Sequence, residues 1–416
     1  MYKLSWENFI KKTIYILLSS LLLSGCGATK VSTPKQINLS SKNTENNSVN
    51  IPSSELALTD FSNMHAAFTD DGSIVPSGEG DGLLALGTAV QYCDPSISSQ
   101  FTYYCFETGC KHTDYTCHCY IGNALQFITW HGQWYYIRKN AYDAFELIQH
   151  NPESNDRKIL LTYERSNDGS VYEFINSMFL SNGVLYISVT HFETDSDTLQ
   201  TESSGYIDTI DLETCEHTQL FDLNEDDNFF GGNGKNAVIV HSQTKESVNG
   251  EIIPYHELNV LYLESGELIK ITDSDSGFNV FSDMYQLTNK DTLVYIESDT
   301  IHILDLSSLD NSIIYKSDKT ILSAWFFGNK VRFLEKAVDG SSLEENMIDS
   351  DGNNKINFPS MIDSDKQVTK FAPVYLTEHG EIGRYSDSTS DALITGWISE
   401  SNYLNGNFKQ IVNVRK

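Results

Sequence analysis

Of the seven cysteines in this 416-residue chain, five fall between positions 93 and 119. Cys110 and His112 are two apart, so on an extended chain their side chains face one side. Cys105 and Cys117 flank that pair with four intervening residues on each side. Three sulfurs and one imidazole make the donor set of a tetrahedral zinc site, with ligands at ~2.0 to 2.3 Å. The spacing differs from that of two-residue zinc knuckles, and an exported chain offers a second reading. Cysteines in an oxidising compartment form disulfides, and the six cysteines other than Cys26 allow 15 pairings that sequence does not resolve. Cys105, Cys110, His112 and Cys117 are therefore a candidate structural zinc site or part of a disulfide framework.

Other chemistry is sparse. The chain has no Gly-x-Ser-x-Gly elbow, no His-Glu-x-x-His pair and no Gly-x-x-x-x-Gly-Lys phosphate loop. The acidic stretches Asp349-Ser350-Asp351-Gly352-Asn353 and Asp222-Leu223-Asn224-Glu225-Asp226 fail the calcium-loop template. Their sixth positions are Asn354 and Asp227 instead of Gly, and their twelfth are Ser360 and Asn233 instead of Glu, so they read as turns. Trp130, Trp134, Tyr135 and Tyr136 could stack on sugar rings, but strand alternation of Trp134 and Tyr136 with Tyr135 sends at least one set into a core. Glycosidase chemistry needs two carboxylates at a fixed separation. No pair stands out among the acidic residues, and no catalytic residue is assigned.

These candidates sit behind an export signal. Residues 1–25 carry Lys3, Lys11 and Lys12, then an apolar run from Ile14 to Leu23, then small residues: the layout of a secretory signal peptide. The run is shorter than the ~20 residues that span a bilayer. It closes in Leu23-Ser24-Gly25-Cys26, which resembles the lipobox of bacterial lipoproteins. That resemblance implies cleavage after Gly25 and lipidation of Cys26, with two or three acyl chains holding the protein stably on a membrane. Residues 26–56 are rich in Ser, Asn, Thr, Lys and Pro and poor in large apolar side chains, the composition of a flexible tether. As a random coil it would hold the body on the order of 30 Å from the lipid. The expected location is the extracytoplasmic face of the cell membrane.

Charge narrows the partners. The chain has 28 Lys+Arg against 57 Asp+Glu. Loss of Lys3, Glu7, Lys11 and Lys12 with the leader leaves 25 against 56, a net of −31. Such a body repels phosphate backbones and anionic headgroups, which excludes nucleic acid and leaves membrane contact to the lipid anchor. Much of the charge serves solubility.

The elements that must position the cysteines are strands. Gln133–Ile137, Val184–Val189, Ala237–Val240, Thr292–Ile296 and Lys330–Leu334 are short, β-branched and aromatic. Each follows a turn signal such as His131-Gly132 or Asn182-Gly183. A second strand type follows (Phe145–Ile148, Gly205–Leu212, Leu258–Leu263, Thr300–Leu306), several ending in Asp-Leu or a Gly turn, and then a third begins (Lys158–Leu161, Thr218–Phe221, Leu268–Ile271, Ser312–Tyr315). The unit recurs every ~40 to 55 residues, the size of a four-stranded propeller blade. No sustained helical period appears outside the leader. Residues 57–416 therefore read as an all-β propeller of seven blades, with six or eight as neighbouring counts. Two stacked β-sandwiches are the alternative. Closing the ring would protect sheet edges that an open array exposes.

This unit, together with Tyr92-Cys93-Asp94 and Cys105-Phe106-Glu107-Thr108-Gly109-Cys110-Lys111-His112-Thr113-Asp114-Tyr115-Thr116-Cys117, resembles the TolB-like, or low-density-lipoprotein-receptor-like, propellers of the family called DUF5050. These are lipoproteins of Gram-positive bacteria. The resemblance implies the fold and the address far more than an activity. Cys93 and Cys119 depart from the family pattern and, under the metal reading, are left to pair, so the expectation is a Cys93–Cys119 disulfide. Two function classes follow. One is a non-catalytic surface propeller that binds a protein or glycan; the other is a glycan-acting hydrolase or lyase with carboxylates near the channel.

Overall fold

The computed structural model describes residues 65–67, 74–77, 81–247, 250–275, 277–279, 291–327, 330–336, 343–358, 362–363, 368–377, 379–387, 390–404 and 410–414. The leader, Cys26 and the tether lie outside these residues. The described strands form seven antiparallel sheets arranged in a ring, a seven-bladed propeller. In chain order the blades span 74–103, 124–162, 171–223, 227–274, 278–316, 320–358 and 362–413. A five-residue helix, Glu400–Leu404, interrupts the last blade.

Each hairpin follows from local chemistry. A two-residue turn between right-twisted strands needs positive φ at both central residues. His131 and Gly132 (φ 47° and 70°) and Asn182 and Gly183 (φ 47° and 78°) supply it. The strands they join pair Trp130 with Gln133 and Ser181 with Val184. The Asp-Leu signature also has a cause. Asp211 Oδ1 accepts the backbone N–H groups of Glu213 and Thr214 at 2.9 and 2.8 Å, and Asp305 does the same for Ser307 and Ser308 at 2.9 and 2.8 Å. The carboxylate thus caps the turn between the third and fourth strands. The following leucines, Leu212 and Leu306, are buried, and their N–H groups donate to Gly183 O and Asp291 O at the other hairpin end.

Alternation along each second strand feeds two interfaces at once. In Gln133–Lys139, Trp134 and Tyr136 pack with Ile121 and Phe127 toward blade 1, and Tyr135 and Ile137 pack with Leu185 and Ile187 toward blade 3. In blade 4, Ala237 and Ile239 join blade 3, while Val238 and Val240 join blade 5. Full burial of such side chains contributes roughly 1.5 to 3 kcal/mol each, so a strand buried on both faces is what holds neighbouring blades together. The fourth strands are less buried, and Asn311–Lys316 and Arg157–Thr162 have no fully buried residue.

Two features go beyond the sequence reading. His65–Ala66 pairs with Phe179 and Leu180 as a fifth strand on the free edge of the first strand of blade 3. No described sheet mixes strands from the two chain ends; blades 1 and 7 meet through side chains. Leu83, Ala85 and Cys93 pack with Ile382, Trp397 and Val414. Asp81 accepts Thr377 Oγ1 and His379 N, both at 2.8 Å, and Trp397 Nε1 donates to Thr377 Oγ1 at 2.9 Å. Between blades 6 and 7 the contact is ionic. Arg332 and Glu381 are wholly buried, with Nη1 donating to both carboxylate oxygens at 3.1 and 2.9 Å. Glu345 accepts from Arg332 Nε and Tyr403 Oη.

Candidate functional site

The cysteine-bearing segment is the connection from the last strand of blade 1 (Thr102–Tyr103) to the first of blade 2 (Ala124–Trp130). It has no strand of its own and is built from turns. Asp114 Oδ1 accepts Thr116 N at 3.0 Å, Cys117 N donates to Asp114 O at 3.0 Å, and Tyr120 N donates to Cys117 O at 3.2 Å. Gly109 and His112 hold left-handed backbone at φ 82° and 56°. For His112 that is a sparsely populated region which the surroundings must impose.

Blade 2 clamps this connection. Arg157 donates to Tyr115 O, Cys117 O and Tyr120 O at 2.7, 2.8 and 2.9 Å. Asn155 Nδ2 donates to Tyr115 O and Thr116 O at 3.3 and 3.1 Å. One guanidinium therefore ties three carbonyls of the connection to blade 2.

The clamp brings all four predicted residues together. One donor atom from each of Cys105, Cys110, His112 and Cys117 lies within 4.8 Å of every other, a group that could hold a metal ion. His112 Nδ1 is 3.2 Å from Cys117 Sγ. Burial pushes the Cys117 thiol up and the His112 imidazole down. The Cys110 thiol is lowered by the backbone N–H of His112 and then by Cys117. Cys119, which the sequence reading set apart, belongs to this group: its Sγ is 3.4 Å from Cys117 Sγ and 3.6 Å from His112 Nδ1.

The expected Cys93–Cys119 disulfide is not formed, and the six described cysteines are all free thiols. The strand Gln91–Cys93 is the reason. Tyr92 faces the blade 2 side with Cys117 and Cys119, so the next residue, Cys93, points the other way, into the core shared with blade 7. There its thiol donates to Ser98 O at 2.9 Å and is pushed up to about 11 by burial and then Asp94. Cys215 is exposed at a left-handed turn position (φ 59°), remote in sequence from the others and 3.1 Å from Lys158 Nζ.

Beside the thiol group lies a cleft of about 570 Å³ between blades 1 and 2. Its walls include Tyr103, Tyr104, Phe106, Trp130, Trp134 and Tyr92. Trp134 is fixed by Phe127 and Tyr104, with ring centroids 5.7 and 5.3 Å away, so core packing and cleft lining are both roles of the same aromatic strand. Phe106 is 70% exposed and Tyr103 47%. Tyr103 stacks on His112 at 4.1 Å and 24°, which joins the cleft wall to the thiol group. Among the described residues no carboxylate lines this cleft. A second, more open groove of about 960 Å³ lies between blades 3 and 4 around Tyr186, Leu220 and Tyr262.

The acidic stretches are turns, as expected. Asp349 N donates to Asn353 O at 2.9 Å, and the Asp349 carboxylate takes Lys330 and Asn354. Asp227 N donates to Asn224 O at 3.0 Å. No helix among the described residues is long and apolar enough to cross a membrane.

No family model matches the chain, and no curated protein matches it. Solved structures do. A mutant puromycin hydrolase in complex with PGG aligns at TM-score 0.50 and 9% identity over 86% of this chain and 55% of its own. An acylaminoacyl peptidase from Pyrococcus horikoshii aligns at 0.49 and 13% over 82% and 54%. An oligogalacturonate lyase in complex with manganese aligns at 0.40 and 10% over 65% and 72%. The chain thus spans about half the length of the first two, and at such identity the likeness is one of fold.

Proposed function

We propose that the chain is a lipid-anchored propeller on the extracytoplasmic face of the membrane that binds a glycan in the cleft between blades 1 and 2 without transforming it. The observation that carries the binding reading is the cleft itself. Exposed Phe106 and Tyr103 face a cavity of about 570 Å³ that no described carboxylate lines. Aromatic faces suit the apolar faces of sugar rings, whereas glycoside cleavage needs a pair of carboxyl groups flanking the bond. The resemblance of Leu23-Ser24-Gly25-Cys26 to a lipobox supports the anchor, and the tether composition supports a body free to search near the surface.

Because one fold hosts unrelated functions, a glycan-acting hydrolase or lyase with carboxylates near the channel is the alternative. A glycan array probed with the lipid-free body, run beside a glycosidase and lyase screen on the same glycans, tests the proposal. Retention of one glycan class without product supports it; turnover of any bound glycan overturns it.

A further inference from the structure

We infer that Cys105, Cys110, His112 and Cys117 form a closed structural zinc site that holds the wall of the cleft. The inference stands on geometry and does not depend on which ligand the cleft takes. Four zinc ligands at about 2.0 to 2.3 Å from a common centre lie roughly 3.3 to 3.8 Å apart along the edges of a tetrahedron. The four donor atoms here are mutually within 4.8 Å, so the widest pair need close by no more than about 1 Å to reach one ion. They come from one short connection of turns without a strand, in which Gly109 and His112 hold left-handed backbone.

A disulfide accounts for this arrangement less well. A bridge between any two of Cys105, Cys110 and Cys117 leaves the third thiol and the His112 imidazole turned to the same point, with Cys119 beside Cys117 as a further unbridged sulfur. A metal ion uses all four donors. The donor set also chooses the metal, since three soft thiolates with one imidazole in tetrahedral array suit zinc over the oxygen-seeking calcium, magnesium and manganese.

Surroundings give the site its character. Cys117 is buried, while Cys105, Cys110 and His112 are half-buried, which leaves an entry path for the ion. Arg157 on the Cys117 carbonyl fixes the inner ligand, and Tyr103 against the His112 ring fixes the imidazole plane. Four protein ligands leave no open position for water, so the ion is structural rather than catalytic. Its effect on the cleft is direct. Cys105 and His112 bracket Phe106 in sequence, and Tyr103 rides on His112, so the ion pins two exposed rings of the cleft wall.

The test uses the full chain purified without chelator. Metal analysis is expected to give one zinc per chain, and replacement by cobalt(II) should give the thiolate charge-transfer and visible bands of tetrahedral coordination. Cys110→Ser and His112→Ala should lower zinc content at least tenfold, while Cys215→Ser should leave it unchanged. His112→Cys should restore it, which separates lost ligation from lost folding. Cys119→Ser should retain the ion. Non-reducing mass spectrometry that finds Cys105 or Cys110 linked to Cys117 would overturn the site. So would zinc that survives Cys105→Ser but is lost in Cys119→Ser, since the ligand set would then be wrong.

Discussion

Replacing His150 by leucine should flatten the acid limb of the stability curve. His150 closes the strand Phe145–His150 opposite Trp134 and is wholly buried. Its ring stands edge-on to Trp134 at 5.2 Å and to Tyr136 at 6.2 Å, and neither nitrogen makes a well-aligned hydrogen bond, the nearby Asn155 side chain opposing the effect of burial only in part. Burial, helped by the charge of Arg157, pushes its imidazole down to about 3. In the unfolded chain it titrates near ~6.5. Between these values the unfolded chain holds a proton that the folded protein refuses. The stability is therefore fully present above pH ~6.5 and is lost progressively as the pH falls toward 3. At about 1.36 kcal/mol per pH unit, the loss from this one group at pH 4.5 is roughly 2.7 kcal/mol. His150→Leu removes both orphaned nitrogens and the titration together. Urea melts at pH 7.5 and 4.5, read by tryptophan fluorescence, should show the variant gaining roughly 2 to 3 kcal/mol on the wild type across that interval. An unchanged difference between the two proteins at the two pH values would refute the reasoning and place a proton acceptor beside His150.

Two further perturbations test other parts of the account. Arg332→Ala leaves the fully buried Glu381 carboxylate without its bidentate partner, and should cost about 3 to 5 kcal/mol in urea unfolding; a loss under about 1 kcal/mol would contradict the burial of the pair. Cys26→Ser should abolish metabolic palmitate labelling and leave the protein unprocessed or released, whereas persistent labelling would remove Cys26 as the lipid site.

Much of the blade architecture was legible because hairpin chemistry is local. His131-Gly132 and Asn182-Gly183 can occupy left-handed backbone, and the Asp-Leu pairs both cap and bury. The strands that precede the first hairpin of each blade, such as Val171–Ser181, escaped notice because they lack that rhythm. The added strand His65–Ala66 and the side-chain closure at Asp81 join residues far apart in sequence, for which no local signal exists. At the cysteines, spacing alone brought out four residues that do converge. It misplaced Cys93 and Cys119 because strand alternation says that Tyr92 and Cys93 face opposite ways but not which face meets the connection. Placing Cys119 needed the position of that connection against blade 2, which Arg157 sets from 37 residues away in the chain at Tyr120.

The central claim is that the aromatic cleft between blades 1 and 2 is the binding face. It is tested most directly by calorimetric titration of the best-retained glycan into the wild-type protein, Phe106→Ala and Tyr262→Ala, the last in the groove between blades 3 and 4. The account predicts that Phe106→Ala weakens binding about fivefold or more, in keeping with loss of a ring contact of roughly 1 kcal/mol or above, and that Tyr262→Ala binds as the wild type does. Full affinity in Phe106→Ala with loss in Tyr262→Ala would contradict it.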